Sequence, residues 1–446
     1  MEVVLPDQVR EILDKFQKAG FEIYIVGGVV RDILLDKPLY DWDFTTNATP
    51  EQILELYPDG FCDNKFGTVG IEGKDGGRPF EITTFRTEHG HGDSRHPDKV
   101  AWGSHLQEDL LRRDFTINAM AINPKMGLID LHGGQDDLKN KLIRCVGDAN
   151  ERFNEDSLRM MRAVRIAAQL QFTIEQDTMR AIQAKAGMIK NVSWERIRDE
   201  LIMASDFAAD GYLILKNSGL GQEILPEMEA TFRVEQKSPD RHHIYDVGTH
   251  CVEALRHCAN PDPITRLATL LHDAGKVKTQ KTYPDGRLTF YNHEMESTKI
   301  AKESAERLRL SNKDKDKLVK LVRWHQFTMD EKMTDSAVRR IITNVGQEYV
   351  KDLIDLRVAD RIGSGAAPSS WRLEKLLARF EEVQKQPFSI PDLAIDGRDV
   401  MEIKGIGPGP EVGKYLQKLF VEVTEKGLPN EKEALVRALQ EDLLQS

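Results

Sequence analysis

Residues Tyr24–Thr46 read "YIVGGVVRDILLDKPLYDWDFTT", and the parsing of this stretch decides the fold of the first third of the chain. An apolar run enters the pair Gly27–Gly28, Arg31 follows one turn later, and Asp41 and Asp43 stand two apart. Such a series predicts a buried strand, a tight turn and then a helix. Residues two apart on a strand share a face, so a strand over "YDWDFT" points Asp41 and Asp43 one way and Trp42 and Phe44 into the core. Two parallel carboxylates repel, and burying them unpaired is costly. A divalent cation resolves the conflict, and Mg2+ commonly takes one or two carboxylates together with substrate phosphates. Gly27 and Gly28 let a phosphate approach the backbone at a helix start, where Arg31 reaches the same group. A plain tight turn beside a solvated strand edge is the alternative, and this stretch alone leaves both open.

Working outward, Val9, Ile12, Leu13 and Phe16 fall on one face of an amphipathic helix over 6–19, ended by Gly20. Thr49, Pro50 and Gln52 form a helix start of capping-box type. Strands are expected at 68–72, 79–86 and 127–130, with a turn over Gly73–Pro79, so residues 1–147 read as a small α+β head with a mixed sheet. Residues 148–235 read as a helical neck, 236–366 as a helical domain rich in histidine, and 367–446 as a helical tail behind a break at Gln384–Asp392.

With 446 residues, several domains are expected. Charged residues at 30% and hydrophobic ones at 40% suit a folded, soluble chain, and no window suits a membrane span or a signal peptide. Cys62, Cys145, Cys251 and Cys258 make no CxxC and no zinc spacing, which favours a reduced, cytoplasmic setting. A net charge of −11 weighs mildly against a nucleic-acid partner but does not exclude one, because a local basic groove sets phosphate binding. No oligomeric state is legible.

Two further segments carry chemistry. "RRDFTINAM" places Arg112, Arg113, Asp114 and Asn118 in an apolar setting, suited either to a ribose and phosphates or to an internal salt bridge. In "EDSLRMMRAVRIA" a single helix would align Asp156, Arg159, Arg162 and Arg165 in one stripe. That stripe is either a solvated face or a wall of donors and one acceptor for a base and a triphosphate.

"VGGVVRD", "DWDF", "RRDFTINAM" and "EDSLRMMRAVRIA", in this order, resemble the motifs of the class II (bacterial-type) CCA-adding tRNA nucleotidyltransferase and poly(A) polymerase family, over about residues 20–205. "VSWERIRDEL" (Val192–Leu201) resembles the helix that closes that motif set. The resemblance implies an α+β nucleotidyltransferase head and an all-α remainder acting on tRNA, CTP and ATP. It implies that Asp41 and Asp43 bind catalytic Mg2+, that Gly28 and Arg31 hold the triphosphate beside Gly27, and that Arg112, Arg113 and Asp114 contact ribose and phosphates with support from Asn118. Asp156 and Arg159 would read the base edge, with Arg162 and Arg165 continuing the wall. The stretch Phe85–Trp102 resembles the loop kept by members that add the whole CCA. Rival readings are partial CC or A addition, a poly(A) polymerase, a non-catalytic RNA-binding module, and a phosphohydrolase with a nucleotide-sensing head.

In the histidine-rich region His250, the adjacent His272–Asp273 and Asp360 resemble the HD phosphohydrolase signature, and His293 and His325 resemble its additional ligands. The implied cofactor is a divalent metal (Mg2+, Mn2+ or Ni2+), with phosphomonoesters or cyclic phosphates as substrates and Lys276 near a phosphate. A body that only braces the tRNA is the alternative. "IDGRDVMEIKGIGPGPEVGKYLQKL" (Ile395–Leu419) resembles the family's C-terminal segment; its glycine turn serves either an RNA phosphate or helix packing.

Overall fold

Strand pairing accounts for the first unit. The structure, a computed structural model, describes residues 5–63, 67–73, 78–89, 99–103, 105–203, 209–236, 245–326, 335–369, 371–384 and 390–441. The chain divides into two units, Met1–Glu229 and Ala230–Ser446.

In the first unit α1 (Asp7–Lys18) precedes β1 (Ile23–Val26) and α2 (Gly28–Leu34). Then come β2 (Asp43–Thr46), α3 (Pro50–Leu56), β3 (Phe61–Asp63), β4 (Thr68–Ile71) and β5 (Phe80–Thr84). A two-stranded ribbon, β6 (Arg86–His89) with β7 (Lys99–Trp102), is followed by α4 (Leu106–Leu111), β8 (Met120–Asn123) and β9 (Gly127–Asp130). The seven-stranded sheet runs β3-β4-β5-β2-β1-β8-β9, with β2 and β5 parallel and every other pairing antiparallel. It is the mixed sheet expected of the head. The middle of the turn expected at Gly73–Pro79, and the tip of the ribbon within Phe85–Trp102, lie outside the described residues.

All four residues of β1 are buried, which explains why the sequence there shows no alternation. Tyr24 and Val26 pack with Phe85, Leu106, Leu110 and Ala121, while α1 packs against β1 and buries Val9, Ile12, Leu13 and Phe16. Thr49 caps α3: its hydroxyl accepts from Gln52 N, and the Gln52 side chain accepts from Thr49 N at 2.9 Å.

Beyond the sheet, α5 (Gly134–Lys139) leads to α6 (Ala149–Glu155), α7 (Leu158–Leu170), α8 (Gln176–Lys185) and α9 (Trp194–Met203). α7 turns Leu158, Met161, Val164 and Ile166 inward and packs against α9. The second unit is almost wholly helical. Helices Val247–Arg256, Pro263–Leu271, His293–Arg307, Asn312–Trp324 and Val350–Gly363 pack together, and a separate core of Leu393, Ile395, Val400, Leu419, Val423 and Leu435 joins the last three helices. The central part of the break expected at Gln384–Asp392 lies outside the described residues. Among the described residues no helix is long and apolar enough to cross a membrane.

Replacing Thr49 by Ala removes the cap of α3, and urea denaturation should show a loss of about 1 kcal/mol.

Candidate active site and metal centre

Gly27 sits where two side chains crowd the backbone. Its φ is +83°, and a Cβ there would stand 3.2 Å from Asp43 Oδ2 and 3.3 Å from Arg113 Nη1. Glycine is required both by the backbone angle and by the space. Asp43 opens β2 opposite Val26 of β1 and Glu81 of β5. Burial first, then Glu81 and Asp41, push its carboxyl up to about 6, against the pull of Arg113 and Arg162.

The strand expectation needs one correction. Trp42 and Phe44 are buried as expected, but β2 begins at Asp43, and Asp41 lies ahead of it in irregular chain. The reason is pairing: Val26 is the last partner β1 offers, and the chain turns away at Gly27. The Asp41 carboxylate is half-exposed and accepts from Arg78 Nη1 at 2.6 Å. Glu81 went unnoticed in the sequence; the signal was an acidic residue between the apolar Phe80 and Ile82 of an expected strand.

A polar chain runs from here into the helices. Arg31 is clasped by Asp32 (Nε and Nη2, both 2.9 Å) and gives Nη1 to Asn118 Oδ1 at 2.9 Å, so it lies along Gly28 rather than reaching outward. Asn118 Nδ2 donates to Asp114 Oδ1 at 3.3 Å, and Asp114 Oδ2 receives Arg162 Nε at 2.8 Å and Nη2 at 2.7 Å. Burial alone would raise Asp114, yet Arg162 holds it down at about 2. Arg112 and Arg113 both close on the fully buried Asp109, so the ion pairing weighed for "RRD" is present, with a partner outside the motif.

The expected stripe also changes. Asp156 does not lie on the helix of Arg159; it ends α6, and α7 starts at Leu158. The chain breaks there because Asp156 Oδ1 turns back to accept from Leu158 N at 2.9 Å, a short side chain competing for the backbone. Its Oδ2 accepts from Arg196 Nη2 of α9 at 2.9 Å. Arg159 donates to Glu155 Oε2 at 2.7 Å and to Arg112 O at 2.9 Å. Arg165 reaches Glu200 Oε2, also on α9, at 2.6 Å. Arg196 and Glu200 were missed in the sequence because a helix-closing segment gives no sign of what it packs against.

In the second unit His250, His272, Asp273, His293, His325 and Asp360 converge although they come from five helical segments. His250 Nε2 lies 3.2 Å from His272 Nε2 and from Asp360 Oδ1, and 3.4 Å from Asp273 Oδ2. The other Asp273 oxygen, Oδ1, is 3.1 Å from His293 Nε2 and 3.7 Å from His325 Nε2. The Nδ1 atoms of His272, His293 and His325 each meet a backbone carbonyl three residues earlier, at 2.7, 2.8 and 2.7 Å. A carbonyl only accepts, so each Nδ1 carries a proton and each Nε2 faces inward, toward Asp273 and its neighbours. Asp273 and Asp360 are held well below the usual carboxylate range: burial opposes this, but Lys276 and the histidines at Asp273, and His250 and His272 at Asp360, outweigh it. Lys276 Nζ sits 2.6 Å from Asp273 Oδ2 and 2.7 Å from Gln236 Oε1. The groups His250–His272–Asp273 and Asp273–His293–His325 are each compact enough to hold one cation.

Three family models match parts of the chain. Residues 23–144 match the model of the "Poly A polymerase head domain", 171–232 the "Probable RNA and SrmB- binding site of polymerase A", and 288–439 the tRNA nucleotidyltransferase domain 2. The chain is similar to a CCA-adding enzyme of Lactobacillus helveticus, 32% identical over 98% of both chains. A CCA-adding enzyme of Latilactobacillus sakei is 34% identical over 96% of both. The crystal structure of a Bacillus stearothermophilus CCA-adding enzyme in complex with CTP superposes with a TM-score of 0.71 at 28% identity, over 99% of each chain.

Asp114→Asn removes the buried partner of the part-exposed Arg162 and should cost about 2 kcal/mol at neutral pH. Because Asp114 falls from an ordinary 3.8 to about 2 on folding, its contribution is complete above its unfolded value and is lost as pH falls through the folded one. Urea titrations of both proteins should therefore converge as the pH drops toward 2.

Proposed function

Since this chain belongs to the family of CCA-adding enzymes, we propose that it adds C, C and A in turn to the 3′ end of tRNA, using CTP and ATP and releasing pyrophosphate. The observation that carries this is the meeting of Asp43, Gly27 and Arg113 in one small space, joined by the Asp114–Arg162 pair to the helix behind Asp156. Carboxylates for a metal, donors for a polyphosphate and groups suited to a base edge are thereby joined in one unit.

The head residues fit Mg2+. Asp43 is a carboxylate short of positive charge, with Glu81 across the strand pair as a third acidic group. The exposed Asp41–Arg78 pair opens at little cost, which lets Asp41 join Asp43. When bound, the metal lowers the pKa of the attacking 3′-hydroxyl and balances charge on the triphosphate. The hydroxyl oxygen bonds to the α-phosphorus, the bond to the β-phosphate oxygen breaks, and pyrophosphate departs. Arg113 and Arg112 steady the phosphates, while Arg31 and Asn118 set the wall of the pocket.

Base choice follows from hydrogen-bond polarity. A carboxylate has about four acceptor positions. Asp156 spends one on Leu158 N and one on Arg196, so it retains acceptors for the exocyclic amino group of cytosine or adenine. Arg159 donates to the adjacent ring nitrogen. Uracil and guanine put a carbonyl against Asp156, and the unpaired acceptors make them poor substrates. The ribbon bearing Phe85–Trp102 supports addition of the complete CCA.

For the second unit we propose an HD-type site. The inward-facing Nε2 atoms, which would give lone pairs to a metal on losing their protons, and the shared Asp273 fit one or two divalent ions, Mg2+, Mn2+ or Ni2+. His250, His272, Asp273 and Asp360 would hold one position, and Asp273, His293 and His325 the other. An ion held there would lower the pKa of a water and so make hydroxide available for attack on phosphorus. Phosphomonoesters or 2′,3′-cyclic phosphates are the expected substrates, with Lys276 meeting the phosphate.

Transcripts lacking CCA, ending in C and ending in CC should each be completed to CCA with CTP and ATP and extended no further. Asp43→Ala should stop addition, whereas Asp156→Ala should lower selection of CTP over UTP by roughly 10–100-fold. An arrest after CC would instead mark a partial enzyme. Elemental analysis after purification with Mn2+ or Ni2+ should find metal in the wild type and little in Asp273→Ala. His272→Ala should lose hydrolysis of 2′,3′-cyclic AMP while nucleotide addition continues.

A further inference from the structure

We infer that Asp109 is a positioning residue for the nucleotide's triphosphate: a buried anion that holds Arg112 and Arg113 side by side and keeps Arg113 from closing on Asp43. The inference rests on the nucleotidyl-transfer reading and adds to it a residue outside the motifs considered so far.

Asp109 stands in the short helix α4 and is 0% exposed. Arg112 caps that helix and Arg113 follows it, and both turn back to the one carboxylate. Oδ1 accepts from Arg112 Nε at 3.1 Å and Nη2 at 2.7 Å, and Oδ2 accepts from Arg113 Nη2 at 3.1 Å. Burial would raise its pKa, but Arg113 and Arg112 hold it below the usual carboxylate range, so it stays ionised. One buried carboxylate thus orients two guanidinium groups at once.

Arg113 Nη1 and Asp43 Oδ2 stand 3.3 Å and 3.2 Å from the same point beside Gly27. A guanidinium and a carboxylate that border one small space can swing together into a bidentate pair if nothing restrains them. Such a pair would occupy the oxygens of Asp43 and the donors of Arg113 together. Asp109 supplies the competing anion from the other side. Arg113 Nε is meanwhile buried without a hydrogen-bond partner among the described residues. A buried donor of this kind is costly unless a ligand or water meets it, and a phosphate oxygen is a fitting acceptor. The ligand chemistry is the pyrophosphate part of a nucleoside triphosphate, which is common to CTP and ATP.

The test is Asp109→Asn in the full chain, which preserves shape and removes the charge. KM for CTP and for ATP should rise together by roughly tenfold or more, and calorimetry with inorganic pyrophosphate and Mg2+ should show a matching loss of affinity. The CTP-to-UTP preference and KM for tRNA should stay as in the wild type, because Asp156 and Arg159 are untouched. A folded variant with unchanged pyrophosphate affinity, or one that loses base preference in the same measure, overturns the inference. If the variant does not fold, Arg113→Gln leaves Asp109 paired with Arg112, and unchanged pyrophosphate affinity there overturns it equally. A wild-type protein that binds neither CTP nor pyrophosphate would bring down the nucleotidyl-transfer reading itself, and this inference with it.

Discussion

Opposite charges must stand close together in the head without cancelling one another. Asp43 needs neighbours that leave its oxygens available, and the arginines beside it need acceptors that are not Asp43. The fold answers with geometry. A glycine at Gly27 opens the space between Asp43 and Arg113, Glu81 crowds Asp43 from the adjacent strand, and Asp109 restrains the arginines from behind. The parallel pairing of β2 with β5 puts Asp43 opposite Glu81, so the sheet's one departure from antiparallel order lies at its most charged point.

The helices are tied to this centre by hydrogen bonds as well as by apolar packing. From Arg31 through Asn118 and Asp114 to Arg162, each polar group is both oriented and satisfied by the next. α9 grips both ends of the neighbouring segment, through Arg196 to Asp156 and Glu200 to Arg165. Part-buried ion pairs of this kind add little net stability over apolar packing, but displacement costs more where a partner such as the buried Asp114 would be left charged and alone. The histidine cluster of the second unit uses a related device. Three backbone carbonyls engage three Nδ1 atoms, so the inward direction of each Nε2 is set by secondary structure and not by the ligand.

Much of this was legible in the sequence, and the parts that were not share a cause. The strand, the glycine turn, the Thr49–Gln52 capping box and the buried face of α1 are local patterns, and they appear where local patterns place them. The six metal-type residues of the second unit were recognisable by type and order, and the structure brings them together. Asp41 departs from the expected strand because strand length depends on the partner, and β1 ends at Val26. Asp156 leaves the expected helix because its own carboxylate competes for the backbone at Leu158. Asp109, Glu81, Arg196 and Glu200 matter through contacts that single-sequence patterns do not encode.

The Asp114–Arg162 pair has a bearing on how such chains can recombine. By composition the seam between the sheet-bearing head and the helices falls near residue 147, in a stretch that a graft would naturally use. Yet Asp114 lies before that seam and Arg162 after it, and the buried carboxylate of the one is paired with the part-exposed guanidinium of the other. Arg159 crosses the same line to the carbonyl of Arg112. A chimaera joined at the seam would therefore inherit half of an ion pair from each parent, and would work only where both parents had kept the same halves. The heritable unit is the pair, and it binds two stretches of sequence to descend together.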